Sequence, residues 1–210
     1  CRVSTGLELK QRGDMRTVNR GLFEYNPHSS RLKRYDYTQP GAYFVTICTY
    51  ARICFFGEIR DAKMFLNKYG EIVHSCWHEI PQHFPHVRSD PFVVMHNHVH
   101  GIIIISKWSP STAPYVETRH AVSKTNVSQS TREAFQKPVL NSLPTIIRSF
   151  KSAVTKRLNE SGEYLPATIW QRNYYEHVIR NEKELNLAIE YINSNPVKWV
   201  MDKDNPVNIK

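Results

Sequence analysis

PFVVMHNHVHGIIII, residues 91–105, decides how the rest of the chain is read. Two runs rich in β-branched and aromatic residues, 91–97 and 98–105, abut at Asn97, where a tight turn or sharp bend belongs. Side chains alternate across a strand, so His98 and His100 share one face while Val99 points into the core. Two imidazoles then converge on one point, and neutral imidazole is a common metal ligand. Spacing alone leaves a hydrogen-bonded histidine pair open as well. His96 would extend the row to three, the pattern of a three-histidine zinc hydrolase, but a turn at Asn97 need not keep it on the same face.

Working outward, AYFVTICTY follows the turn-forming Pro40–Gly41 and reads as a strand, with ICFFGEI, residues 53–59, as its expected hairpin partner. Residues 64–80 space Phe65, Tyr69, Ile72, Val73, Cys76, Trp77 and Ile80 three and four apart, which predicts an amphipathic helix stopped by Pro81. Residues 139–160 place Leu143, Ile146, Ile147, Phe150, Val154 and Leu158 on one helical face. IWQRN (169–173) and YYEHVIR (174–180) read as short strands. A last helix is expected from Asn181, whose side chain caps it with Glu184 completing the box, to a stop at Pro196. Strands interspersed with helices that each need one covered face predict an α+β sandwich with a mostly antiparallel sheet. Residues 1–33 read as a flexible leader, 34–200 as a single domain carrying a long Ser/Thr/Pro/Lys-rich loop at 106–137, and 201–210 as a tail.

Composition narrows the class. With 210 residues, 40% hydrophobic and 11% aromatic, the chain has the makeup of one globular domain, not of a disordered, collagen-like or coiled-coil protein. No apolar run approaches the ~20 residues of a membrane span, so a soluble protein is expected. Four cysteines (Cys1, Cys48, Cys54, Cys76) in no CxxC spacing point to a reducing cytoplasm and away from structural zinc. The charge of +9 is uneven: residues 106–160 carry nine basic and three acidic side chains. Such a field suits a polyanion, and nucleic acid is the leading candidate.

On the last helix, Tyr191 and Asn195 are four residues apart, so a phenol and an amide share one outlook. Core packing for the tyrosine and a helix stop for the asparagine are the plain alternatives. Tyr174 and Tyr175 are rival phenols beside Glu176 and His177, candidates for orienting water or metal, but adjacent strand residues face opposite sides. Arg148, Lys151, Lys156, Arg157, Arg172 and Arg180 are the candidate phosphate contacts, because single-strand binding combines a basic groove with aromatic platforms. Trp170 and Trp199 are read as core residues rather than base-stacking platforms.

Taken in order, SRLKRYDYTQPGAYFVTICT (30–49), GEI (57–59), VVMHNHVHGIIII (93–105), IIRSFKSAVTKRLN (146–159), IWQRNYYEHVIRNEKEL (169–185) and YINSNPVKW (191–199) resemble the REP-associated tyrosine transposases, single-strand transposases of the HUH nuclease superfamily. The resemblance spans residues 30–199 with gaps. It implies a ferredoxin-like sheet with helices on one side. It further implies that His98 and His100 hold a divalent cation, Mg²⁺ or Mn²⁺, that Asn195 is a third polar ligand, and that Tyr191 is the nucleophile. Zinc is the alternative from ligand chemistry alone. The implied partner is single-stranded DNA bearing a hairpin, of the repetitive palindromic kind, cut through a 5′-phosphotyrosine by a monomer or homodimer. Two competing readings are an inactive or domesticated single-strand binder and a metallohydrolase using His96, His98 and His100. The sequence departs from the family at His96, where a proline usually precedes the asparagine.

Overall fold

Strand β6, His98–Ile105, and strand β1, Gly41–Cys48, form the spine of the sheet, paired antiparallel from Gly41 opposite Ile105 to Cys48 opposite His98. A computed structural model describes residues 35–107, 139–162, 166–202 and 205. The expected leader, all but the first two residues of the 106–137 loop, and most of the expected tail lie outside the described residues. Strand β7, Tyr175–Ile179, flanks β1, while β4 (Val87–Arg88) and β5 (Phe92–Val94) share the far edge of β6, all antiparallel. The α+β class and the mostly antiparallel sheet are as expected. So is the sharp reversal before β6, closed by Met95 N–H donating to the His98 carbonyl at 2.8 Å.

Residues 53–59 are not the hairpin partner of β1. Gly57–Arg60 (β2) pairs instead with Lys63–Leu66 (β3) in a separate two-stranded sheet. The link is Asp61–Ala62, both at positive φ (48° and 58°), the backbone of a two-residue hairpin whose twist matches its strands. The helix expected over 64–80 is correspondingly shorter. Helix α1 spans Lys68–His78 and is capped by Asn67, whose side chain accepts from the Tyr69 and Gly70 N–H groups. Pro81 stands in the first turn of a separate short helix, α2 (Ile80–His83), where its missing N–H costs nothing. The segment 169–173 makes one bridge, Thr49 to Trp170, rather than a strand.

Alternation along β1 and β6 creates two apolar faces, and helices cover both, not one side as the resemblance implies. Val45, Ile47, Val99 and Ile103 face α1 and α3 (Leu143–Glu160), which present Val73, Trp77, Ile147, Phe150 and Val154. Phe44, Ile102 and Tyr175 face the opposite way, against Ala188 and Ile192 of α4 (Glu182–Lys198). Fully burying each such aliphatic or aromatic side chain contributes about 1.5–3 kcal/mol. Gly101 is required for the first packing: a Cβ there would overlap Cζ2 and Cη2 of Trp77.

Helix α4 begins as the sequence indicates, with Asn181 accepting from the Glu184 N–H at 2.9 Å. It does not stop at Pro196. The helix continues to Lys198 and tightens into a 3-10 turn, Trp199–Met201. A proline this close to a C-terminus removes one intrahelical bond and leaves the turn free to form. That continuation brings the residues after the helix back onto the sheet.

Candidate active site

His98, His100, Thr46 and Cys48 point to the face of the sheet that α4 covers, because they share the alternation of Phe44 and Ile102. The two imidazoles are buried, with ring centroids 4.4 Å apart. Each is fixed through Nδ1. His98 Nδ1 lies 2.8 Å from Asn97 Oδ1, an acceptor, because the same amide donates through Nδ2 to the Arg52 carbonyl. His98 therefore carries its proton on Nδ1 and keeps the Nε2 lone pair for a ligand. His100 Nδ1 bonds the Thr46 hydroxyl at 2.8 Å, and its ring stacks on Phe44.

Tyr191 lies on the α4 face that meets these rings. Its ring centroid is 5.1 Å from that of His100, edge to face, and 5.8 Å from Phe44. Burial pushes its phenol above the usual tyrosine range, the Asp202 carboxylate adds to the rise, and a hydrogen bond with Asn195 partly offsets it. One turn on, Asn195 is buried. Its Nδ2 donates to Asp202 Oδ2 at 3.3 Å, whereas among the described residues its Oδ1 has no hydrogen-bond partner.

Asp202 is the residue that sequence reasoning missed. It falls in the stretch read as a tail, yet it is buried beside the imidazoles. One ligand atom each from His98, His100 and Asp202 lies within 4.8 Å of the others. The available signal is a pair of acidic residues, Asp202 and Asp204, a short turn beyond the Tyr-x-x-x-Asn pair. Two buried imidazoles, a carboxylate and a buried amide oxygen are a donor set that fits a divalent cation. The oxygens suit Mg²⁺ or Mn²⁺ and the nitrogens softer ions.

The other singled-out residues sit elsewhere. His96 lies in the turn before β6, where its Nε2 accepts the Ile59 N–H at 3.0 Å and its ring stacks on Trp199 at 4.7 Å. Burial lowers its pKa, keeping it neutral for that role. Tyr174 and Tyr175 do face opposite sides. Tyr175 packs behind Phe44, and Tyr174 lies on the α3 side under the Lys151 ammonium. Glu176 pairs with Val45, so it faces away from the imidazoles, while His177 shares their side but contacts Glu184 at 3.2 Å.

Of the candidate phosphate contacts, Arg148, Lys151 and Lys156 line a groove of about 790 Å³ between α3 and residues 167–170. Lys151 Nζ bonds the Gln171 and Asn173 carbonyls, and Arg157 grips Glu79 through both guanidinium nitrogens. Arg172 and Arg180 are exposed, on either side of β7. Trp170 is buried between Phe56 and Phe150, as a core residue should be. The groove reaches the same end of the sheet as the imidazoles, because Thr49 bridges Trp170 and donates to the Asn97 carbonyl at 2.8 Å.

An antiparallel sheet with paired histidines on its central strand and a tyrosine helix laid across them has the architecture of a tyrosine transposase. Over 83% of this chain and 76% of the other, it superimposes with a TM-score of 0.51 and 18% identity on a REP-associated tyrosine transposase bound to a REP hairpin, a likeness of fold. No protein-family model matches the chain. An uncharacterized protein of Haemophilus influenzae is 39% identical over 181 residues, covering 85% of this chain and 93% of its own. A putative REP-associated tyrosine transposase of the same organism is 29% identical over 165 residues, covering 79% of this chain and 75% of its own. In sequence and in fold the chain resembles the REP-associated tyrosine transposases. Among the described residues no helix is long and apolar enough to cross a membrane.

Proposed function

We propose that this protein cleaves and rejoins single-stranded DNA carrying a hairpin, with Tyr191 as the nucleophile and a divalent cation held by His98, His100 and Asn195. The observation that carries the reading is the packing of the Tyr191 ring 5.1 Å from His100, on the face His98 shares. The DNA partner is supported by the charge of +9, by the groove lined by Arg148, Lys151 and Lys156, and by the hairpin in the similar structure.

When bound, Mg²⁺ or Mn²⁺ supplies Lewis acidity, drawing charge from a phosphate oxygen. The protein does the rest by positioning. Asn97 and Thr46 lock the two imidazoles, and Phe44 backs both His100 and Tyr191. Burial raises the Tyr191 pKa above the usual tyrosine range, so the phenol has to lose its proton in the course of its attack. Its oxygen forms a bond to phosphorus as the bond from phosphorus to the 3′-oxygen breaks. The phenolic proton ends on the departing 3′-hydroxyl, leaving a 5′-phosphotyrosine. That ester retains the energy of the phosphodiester, so a second 3′-hydroxyl reverses the step and joins strands without ATP.

The test is incubation of the protein with hairpin-bearing single-stranded DNA and Mn²⁺, followed by denaturing electrophoresis. A protein–DNA adduct lost in Tyr191→Phe supports the proposal, and an adduct that persists in Tyr191→Phe eliminates this nucleophile. Binding with neither cleavage nor adduct in the unaltered protein indicates a binder that has kept only the fold.

A further inference from the structure

The geometry points to Asp202 as an additional ligand of the cation, delivered by the turn that follows α4 and steadied there by the ring of His96. This inference rests on the proposed metal centre and extends its ligand set to a residue outside the histidine and Tyr-x-x-x-Asn motifs. Three observations converge on it. The Asp202 carboxylate is buried, and one of its oxygens lies within 4.8 Å of a nitrogen of each imidazole. Octahedral ligands of a Mg²⁺-sized ion at about 2.0–2.1 Å stand about 2.9–4.2 Å apart, so the set closes by rotation of these side chains toward one point.

The carboxylate is also oriented. Asn195 Nδ2 donates to Oδ2 at 3.3 Å, an outer hydrogen bond of the kind that aims a metal-binding carboxylate. The turn that carries it is held as well. Trp199 stacks on His96 with centroids 4.7 Å apart and planes 19° apart, and lies 5.9 Å from the His98 ring. His96 is fixed in turn by the Ile59 N–H. The histidine that replaces the usual proline thus serves as a platform under the segment bearing Asp202.

A carboxylate oxygen beside two imidazole nitrogens changes what the site prefers. Carboxylate and carbonyl oxygens favour Mn²⁺ and Mg²⁺, whereas imidazole favours zinc and its neighbours. Asp202 therefore strengthens the preference for a hard cation that the Asn195 amide oxygen begins. Asp202→Asn keeps the shape and the buried volume while removing the charge.

The experiment is a calorimetric titration of the full chain, without DNA, by Mn²⁺ and separately by Zn²⁺, for the unaltered protein, Asp202→Asn, Trp199→Ala and His98→Ala. The expected result is at least a tenfold loss of Mn²⁺ affinity in Asp202→Asn with a smaller loss for Zn²⁺, and an intermediate Mn²⁺ loss in Trp199→Ala. Unchanged Mn²⁺ affinity in Asp202→Asn, with binding abolished in His98→Ala, overturns the inference and leaves the metal centre standing. Unchanged affinity in His98→Ala as well overturns both. Unchanged affinity in Trp199→Ala alone overturns the positioning role of the stack.

Discussion

Replacing Thr46 by valine removes one hydroxyl and almost no volume, and it isolates the link between the sheet and the candidate site. Thr46 is 4% exposed and His100 is 2% exposed, so no solvent reaches the Nδ1 that the hydroxyl now bonds at 2.8 Å. Leaving a buried polar group without its partner costs about 1–3 kcal/mol. For a chain of this size each kcal/mol moves the melting midpoint by roughly 2–4 °C, which gives a fall of about 2–12 °C. The same hydroxyl aims His100, and losing such an outer contact typically costs about 10–100-fold in metal affinity. Thermal melting followed by Mn²⁺ titration reads both effects, with Thr46→Ser, which keeps the hydroxyl, expected close to the unaltered protein. A Thr46→Val protein that melts at the same temperature and binds Mn²⁺ equally well would refute the reasoning.

Three further outcomes follow from the packing and charge. Gly101→Ala drives a methyl into the Trp77 ring and should destabilise by about 1–3 kcal/mol in urea unfolding, as overpacked cores do. Arg148→Ala should weaken single-strand DNA binding and reduce the salt slope by about one. Arg157→Ala, whose guanidinium is engaged by Glu79, should change the slope less. Glu184 is held below the usual glutamate range, chiefly by the Arg180 N–H, with the His177 contact adding to it. Its contribution to stability is fully present above the ordinary value of roughly 4.3 and is lost as pH falls through the lower folded value. Melting temperatures taken between neutral and acid pH should therefore decline less steeply for Glu184→Gln.

The sequence discloses what alternation and local capping control. The His98–Ile105 strand, the turn before it, the core stripe of α3 and the Asn181 cap all follow from neighbours a few residues apart. Strand pairing is a different matter. The partners of β1 are β6 and β7, far along the chain, and adjacency wrongly favours residues 53–59. The true hairpin, β2 with β3, turns through Asp61–Ala62. Alanine at positive φ carries none of the signal that Asn-Gly or Asp-Gly would give. Placement of α4 on the opposite face from α1 and α3 is likewise fixed by which side of the sheet each stripe finds. Asp202 stayed hidden because Pro196 reads as an end, whereas the backbone passes through it and folds back.

The central claim is that a phosphate becomes covalently attached to the tyrosine that faces the paired histidines. Proteolysis of the protein–DNA adduct and mass spectrometry of the nucleotide-bearing peptide test it most directly. The account predicts a 5′-phosphate joined to Tyr191. Attachment at Tyr174, Tyr175 or any other side chain would contradict it.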